Sequence, residues 1–174
     1  MKLHIMLGLL KRLKMQTESS GIYIAIKYNP YSAIKLKDIA ENYGVPNIIP
    51  IDKFHTTLIY STKGADNVEI YENMQYIALP DKLDIWTSQS GEKCLVLKIN
   101  CKQLVDRNKE LMDKYQFVSD YPEYNPHITL SYDIGDWNRM DEMQVHIDNN
   151  KIYNALVSLG EYSEELEKEW ASTI

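Results

Sequence analysis

The chain has 174 residues, 44% hydrophobic and 25% charged, the composition of an ordinary globular protein long enough to bury a core without metal or disulfide staples. Its net charge of −6 and pI of about 5.2 argue against broad binding to long nucleic acid, which needs a basic face that displaces counterions. The two cysteines, Cys94 and Cys101, fit no metal-ligand spacing and are expected to be reduced core thiols.

In chain order, residues 1–20 read as a flexible leader. Their apolar stretch is interrupted by Lys11, Arg12 and Lys14, so it has neither transmembrane length nor a signal-peptide layout, and Met15 offers an alternative translation start. His4 lies in this leader and is assigned no role. Residues 21–174 are expected to form a single domain. In "GIYIAIKY" the isoleucines 22, 24 and 26 share one face, and Tyr23, Ala25 and Lys27 share the other, the alternation of a half-buried strand. The period then becomes helical: Ala33, Leu36, Ile39, Ala40 and Tyr43 recur on one side, Ser32 is placed to cap the start, and Gly44 suits the stop.

Residues 54–60 read as a strand with His55, Thr57 and Ile59 on one face, and residues 64–72 as loop. "MQYIAL", "KLDIWTSQ" and "KCLVLKIN" read as three strands, divided by turn signals at Pro80-Asp81 and Ser90-Gly91. From residue 102 to 116 a helix is expected, with a stripe of Leu104, Val105, Asn108, Leu111, Met112 and Tyr115. A loop delivers a second strand at residues 127–132. "KIYNALVSLGEY" reads as a final strand and "SEELEKEW" as an acidic tail ending in Trp170. The order β-α-β, strands, α-β suggests two similar lobes.

Two segments carry the chemistry. "FHTTLIYS" and "PHITLSYD" both read apolar-or-proline, His, any residue, Thr, Leu, and they place two of the four histidines in one frame. In a strand, residues i and i+2 share a face, so each motif presents an imidazole beside a hydroxyl. Histidine exchanges a proton near neutral pH, and a threonine hydroxyl donates to phosphate oxygens. Two such pairs across a cleft would flank a phosphodiester, one imidazole as base and the other as acid. A lone His-x-Thr is usually a core histidine. The repetition of the motif, with 127 − 55 = 72 residues between the copies, argues against that for both. His146 is single and is expected to be surface or core.

On these motifs the chain resembles the two-histidine (2H) phosphoesterase superfamily, and within it the phage anti-CBASS nucleases, viral proteins that degrade cyclic oligonucleotide signals of bacterial defence. "SGIYIAI" and the "GEYSEEL…W" tail extend the likeness. The resemblance implies an α+β fold of two pseudo-symmetric lobes, each an antiparallel sheet with outer helices, and an active-site cleft between them. It implies catalysis by His55, Thr57, His127 and Thr129 with no metal or other cofactor, on a cyclic di- or trinucleotide, in the cytoplasm of the infected host cell, and with no membrane or protein partner. Bases stack on aromatic rings, which makes Tyr23, Trp86 and Trp170 candidate platforms, while Glu164 is placed to accept from a base edge. The segment from Ser163 to Trp170 is expected to close over ligand. Two alternatives stay open: a 2′,3′-cyclic phosphodiesterase or RNA-end-processing enzyme that uses water, and a non-catalytic nucleotide sponge.

Overall fold

The computed structural model describes residues 20–166. Six strands and three helices alternate in the chain: β1 (Gly21–Tyr28), α1 (Pro30–Asn42), β2 (His55–Ser61), β3 (Ile77–Thr87), β4 (Lys93–Asn100), α2 (Lys102–Tyr115), β5 (His127–Ser131), α3 (Met140–Asn149) and β6 (Leu156–Leu166). The strand order is β2-β1-β6-β3-β4-β5, antiparallel throughout. It is built from two three-stranded halves, β2-β1-β6 and β3-β4-β5. In the strand order they are joined where Ile77 and Ala78 of β3 meet Val157 and Leu156 of β6. The fold is thus α+β, with the expected division into two related halves.

β1 forms as its alternation predicts, with Ile22, Ile24 and Ile26 buried and Tyr23 and Lys27 half-exposed on the opposite face. α1 begins at Pro30, where the missing N–H costs nothing. Its cap is Asn29, whose side chain accepts from the Ser32 amide at 2.8 Å, rather than Ser32 itself. Ser32 is buried, and its hydroxyl accepts from the Val157 amide at 3.0 Å, tying α1 to β6. Gly44 ends the helix at φ +68°, a left-handed conformation that suits glycine.

The two strands expected on either side of Pro80-Asp81 are one strand, β3. Its register slips between Pro80 and Leu83, so the proline sits in a bulge, the usual place for it inside a sheet. The backbone freed there is satisfied by α3, an unexpected helix. Gln144 accepts from the Leu83 amide at 2.7 Å and donates to the Asp81 carbonyl at 2.8 Å. α3 escapes the periodic reading because only Met143 and Ile147 are buried along its ten residues. The last strand runs further than expected. Residues 151–154 are turn, and Ser163, Glu164 and Glu165 pair with β1. That part of the acidic segment is therefore sheet and cannot act as a lid. The remainder, with Trp170, lies outside the described residues.

α2 departs from its expected stripe: Leu104, Arg107 and Leu111 are buried, whereas Val105 is 43% exposed. Arg107 can be buried because Glu161 of β6 meets it in a two-point ion pair, Nε to Oε1 at 2.8 Å and Nη2 to Oε2 at 3.0 Å. Tyr76 OH donates to Glu161 Oε1 at 2.6 Å, and the Tyr71 amide donates to Oε2 at 3.0 Å. Burial pushes the Glu161 carboxyl up, but these donors outweigh it and hold the group below its ordinary range. Although α2 follows β4 in the chain, it packs on the other half, where Asn108 also donates to the Leu58 carbonyl at 2.7 Å.

Candidate active site

His55 and Thr57 alternate along β2, as do His127 and Thr129 along β5, and these two strands are the opposite ends of the strand order. The sheet curls so that they meet. The buried Thr56 hydroxyl donates to the His127 carbonyl at 3.0 Å, and Tyr28 OH donates to Thr56 Oγ1 at 2.7 Å. Tyr124 OH adds a second tie, to the Thr57 carbonyl at 2.9 Å. The middle residue of the first motif therefore clasps the two motif strands together. Nothing in its sequence context distinguishes it from an ordinary strand threonine.

The two halves repeat in detail. Lys27 lies opposite His55 and Lys98 opposite His127; Ala25 lies opposite Thr57 and Val96 opposite Thr129. Each motif strand bulges at the leucine after the threonine, Leu58 and Leu130, so that Ile24 pairs with Ile59 and Leu95 with Ser131. The bulge turns Ile59 into the core, away from the face it was expected to share with His55 and Thr57. A sequence signal for this repeat exists in the partner strands, "IAIKY" and "LVLKI", which carry the two lysines in the same frame.

Both imidazoles are held the same way. His55 Nδ1 lies 2.8 Å from the Lys53 carbonyl, and His127 Nδ1 lies 2.8 Å from the Asn125 carbonyl. A carbonyl only accepts, so Nδ1 carries the hydrogen in each ring and Nε2 is left as the atom that exchanges a proton. Burial lowers the pKa of His127, and the charges of His55 and Lys98 lower it further, against the opposing hydrogen bond to Asn125. His127 therefore stays neutral to lower pH than an ordinary histidine.

Around these groups, Trp86 of β3 packs edge-on against His127, with ring centres 4.4 Å apart and planes at 62°. Its indole N–H donates to Asp84 at 3.0 Å, and Asp84 pairs with Lys98 at 3.1 Å. Near His55, Tyr23 lies with its ring centre 6.3 Å away, and Thr57 donates to its hydroxyl at 3.4 Å. Tyr23 and Glu164 face each other across β1 and β6, and both line a pocket of about 460 Å³ that includes His55, Lys27, Lys53, Tyr132 and Tyr162. The structure thus brings His55, Tyr23 and Glu164 together in the pocket, with Thr57 bonded to Tyr23, and sets Trp86 against His127, with Thr129 two residues further along β5. His146 lies against Tyr43, as a packing residue. Sequence reasoning missed Asp84, Lys98, Tyr162 and Thr56, whose roles come from partners on other strands. Among the described residues no group of three or more His, Cys, Asp or Glu is arranged to hold a metal ion, and no helix is long and apolar enough to cross a membrane.

Residues 20–173 match the family model described as anti-CBASS protein Acb1. The anti-CBASS protein Acb1 of Vibrio phage KVP40 is 36% identical over 116 residues, covering 67% of this chain and 75% of that protein. The Acb1 protein of Enterobacteria phage T4 is 28% identical over 156 residues, covering 90% and 95%. Among solved structures, E. coli LigT complexed with 3′-AMP has 16% identity and a TM-score of 0.49, covering 70% of this chain and 76% of that one, a likeness too distant to bear on function.

Proposed function

This chain belongs to the anti-CBASS protein Acb1 family, and from that membership we propose that it is a phosphodiesterase that counters CBASS defence in the infected bacterial cell by cleaving 3′–5′ linkages of cyclic oligonucleotide messengers without a metal. The observation that carries the reading is the matched pair of imidazoles. Each is fixed through Nδ1 to its own backbone, each has Nε2 available, and each stands beside a threonine hydroxyl on strands that meet.

In the proposed reaction, His127 is the base, because burial favours its neutral form. Its Nε2 takes the proton from a ribose 2′-hydroxyl, whose oxygen attacks the adjacent phosphorus. The bond from phosphorus to the 5′-oxygen breaks, and that oxygen takes a proton from His55 Nε2. The products are a 2′,3′-cyclic phosphate, or its hydrolysed form, and a free 5′-hydroxyl. Thr57 and Thr129 donate to the non-bridging oxygens, where negative charge grows. Tyr23, Trp86 and, from its sequence position, Trp170 are stacking surfaces for bases, with Glu164 an acceptor for a base edge.

The test is incubation with cyclic di- and trinucleotides in EDTA, followed by mass analysis. The expected result is linear product from ribose substrates and intact 2′-deoxy analogues. Cleavage of the 2′-deoxy ring would point to water as nucleophile, and intact but bound ligand would point to a sponge. A second expectation concerns pH. A base whose pKa is lowered keeps its activity further into acid, so the fall of kcat/KM should set in below the ordinary imidazole value of about 6.5. An acid limb centred above that value would contradict His127 as base. Titration of its ring by NMR gives the matching value independently.

A further inference from the structure

The two halves correspond in register, and where the residues differ on the site face, one difference bears on the paired lysines. The residue opposite Ala25 on the next strand out is Tyr162 of β6, and the residue opposite Val96 is Asp84 of β3. Asp84 is therefore the counterpart of Tyr162. The difference falls on the paired lysines. Lys98 has its charge met by Asp84 at 3.1 Å. The Lys27 ammonium lies 5.7 Å from the centre of the Tyr162 ring, and among the described residues it has no carboxylate partner. A ring face attracts a cation without cancelling its charge.

Lys27 lines the 460 Å³ pocket beside His55, and Lys53 adds a second cation there. Glu164 shares the pocket, but its backbone lies opposite Tyr23, four residues or about 13 Å along β1 from Lys27 by strand rise, and the two form no ion pair. The site face is thus unequal. Its His55 side carries an unneutralised cation. Its His127 side carries a neutralised lysine and the Trp86 ring.

The scissile phosphate is bracketed by the motifs on β2 and β5. β1 lies on the far side of β2 from β5, displaced by one strand spacing of about 4.8 Å. A cation reaching in from there is offset from the scissile phosphorus and is set to meet the next phosphate of the same molecule. We infer that Lys27 binds the non-scissile phosphodiester adjoining the scissile one, on the His55 side. This rests on the proposed function and adds a direction to it: a free cation on the His55 side, against a neutralised lysine on the His127 side, fixes which way round the ring is held.

The test uses the full chain and two substrates, a native cyclic trinucleotide and an analogue in which all but one phosphodiester are neutral methylphosphonates. For the wild-type protein, KM on the analogue should rise roughly 10- to 100-fold, the range supplied by a hydrogen bond to a charged group. Lys27→Met should show that rise already on the native substrate, no further rise on the analogue, and kcat within a few-fold of wild type. Lys27→Arg, which keeps the charge, should behave like wild type on both. If the effects of Lys27→Met and of the analogue multiply, the lysine does not touch that phosphate. If Lys27→Met lowers kcat and leaves KM unchanged, the lysine acts on the scissile group instead. Either result overturns the inference while leaving the proposed function intact. A wild-type protein that cleaves no cyclic oligonucleotide overturns the proposed function and the inference with it, before any variant is made. Melting temperatures within a few degrees of wild type identify variants that fold.

Discussion

Replacing His55 or His127 with alanine is expected to lower kcat by about 10²–10⁴-fold each, the usual contribution of a positioned acid–base group. The reason lies in the site's hydrogen bonds. Each imidazole spends Nδ1 on a carbonyl two residues back in its own chain, so Nε2 is its single exchangeable position. No other imidazole stands on the motif strands to substitute. The double variant should be barely worse than either single one, because base and acid act in one step and removing one idles the other. Substrate affinity should survive, since Thr57, Thr129, Tyr23 and Trp86 are untouched. Stability should survive as well: both rings are only part-buried, and the tie between β2 and β5 runs through the Thr56 side chain and the His127 backbone. Measuring kcat, the dissociation constant and the melting temperature on the same variants separates these effects. A folded single variant that turns over within a few-fold of wild type would sink the two-imidazole mechanism.

Breaking the buried pair of Arg107 and Glu161 is expected to be strongly destabilising. Removing one partner of a buried ion pair costs about 3–5 kcal/mol, because the other charge is left without a counterpart in a dry place. Arg107 is 4% exposed and Glu161 3%, and the Glu161 carboxylate also receives Tyr76 and the Tyr71 amide. Arg107→Met should therefore lower the free energy of unfolding by roughly that amount, and Glu161→Ala by less, because Arg107 keeps the Glu110 carboxylate at 3.1 Å. The double variant should lose less than their sum, since either single change has already removed the interaction between the two. Glu161 also predicts a pH dependence. Its folded pKa lies below the ordinary value, so the unfolded chain binds its proton first as pH falls. The stabilisation is complete above about pH 4.5 and is lost below it, through the folded pKa. Urea unfolding of wild type and Glu161→Ala at pH 7 and pH 3 should show the gap between them narrowing at the lower pH. A cost under 1 kcal/mol at pH 7, or a gap that does not narrow, would contradict this account. The pair also bears on the site, because Tyr162 and Glu164 follow Glu161 on β6 and line the pocket.

Local alternation by itself determined much of this protein. The isoleucine face of β1, the helical spacing of α1 and the i, i+2 pairing of His and Thr are settled by side-chain direction along one strand or one helix, which neighbouring residues already encode. The repeated motif carried the idea of two related halves for the same reason. What the tertiary structure decided are the features that depend on partners far away in the chain. Thr56 matters because His127, 71 residues on, comes to its hydroxyl. Arg107 can join a buried stripe because Glu161 is there to meet it, whereas Val105, with no such partner, turns outward. β3 runs through Pro80 because Gln144, from a helix too polar to declare itself, satisfies the bulged backbone. The unequal charge of the paired lysines follows from one exchanged position, Asp84 for Tyr162. Each reads as an ordinary strand residue until sheet pairing sets one beside Lys98 and the other beside Lys27. Hydrogen bonds and ion pairs act over a few ångströms in space and carry no periodic trace in sequence, so only the folded chain could assign them.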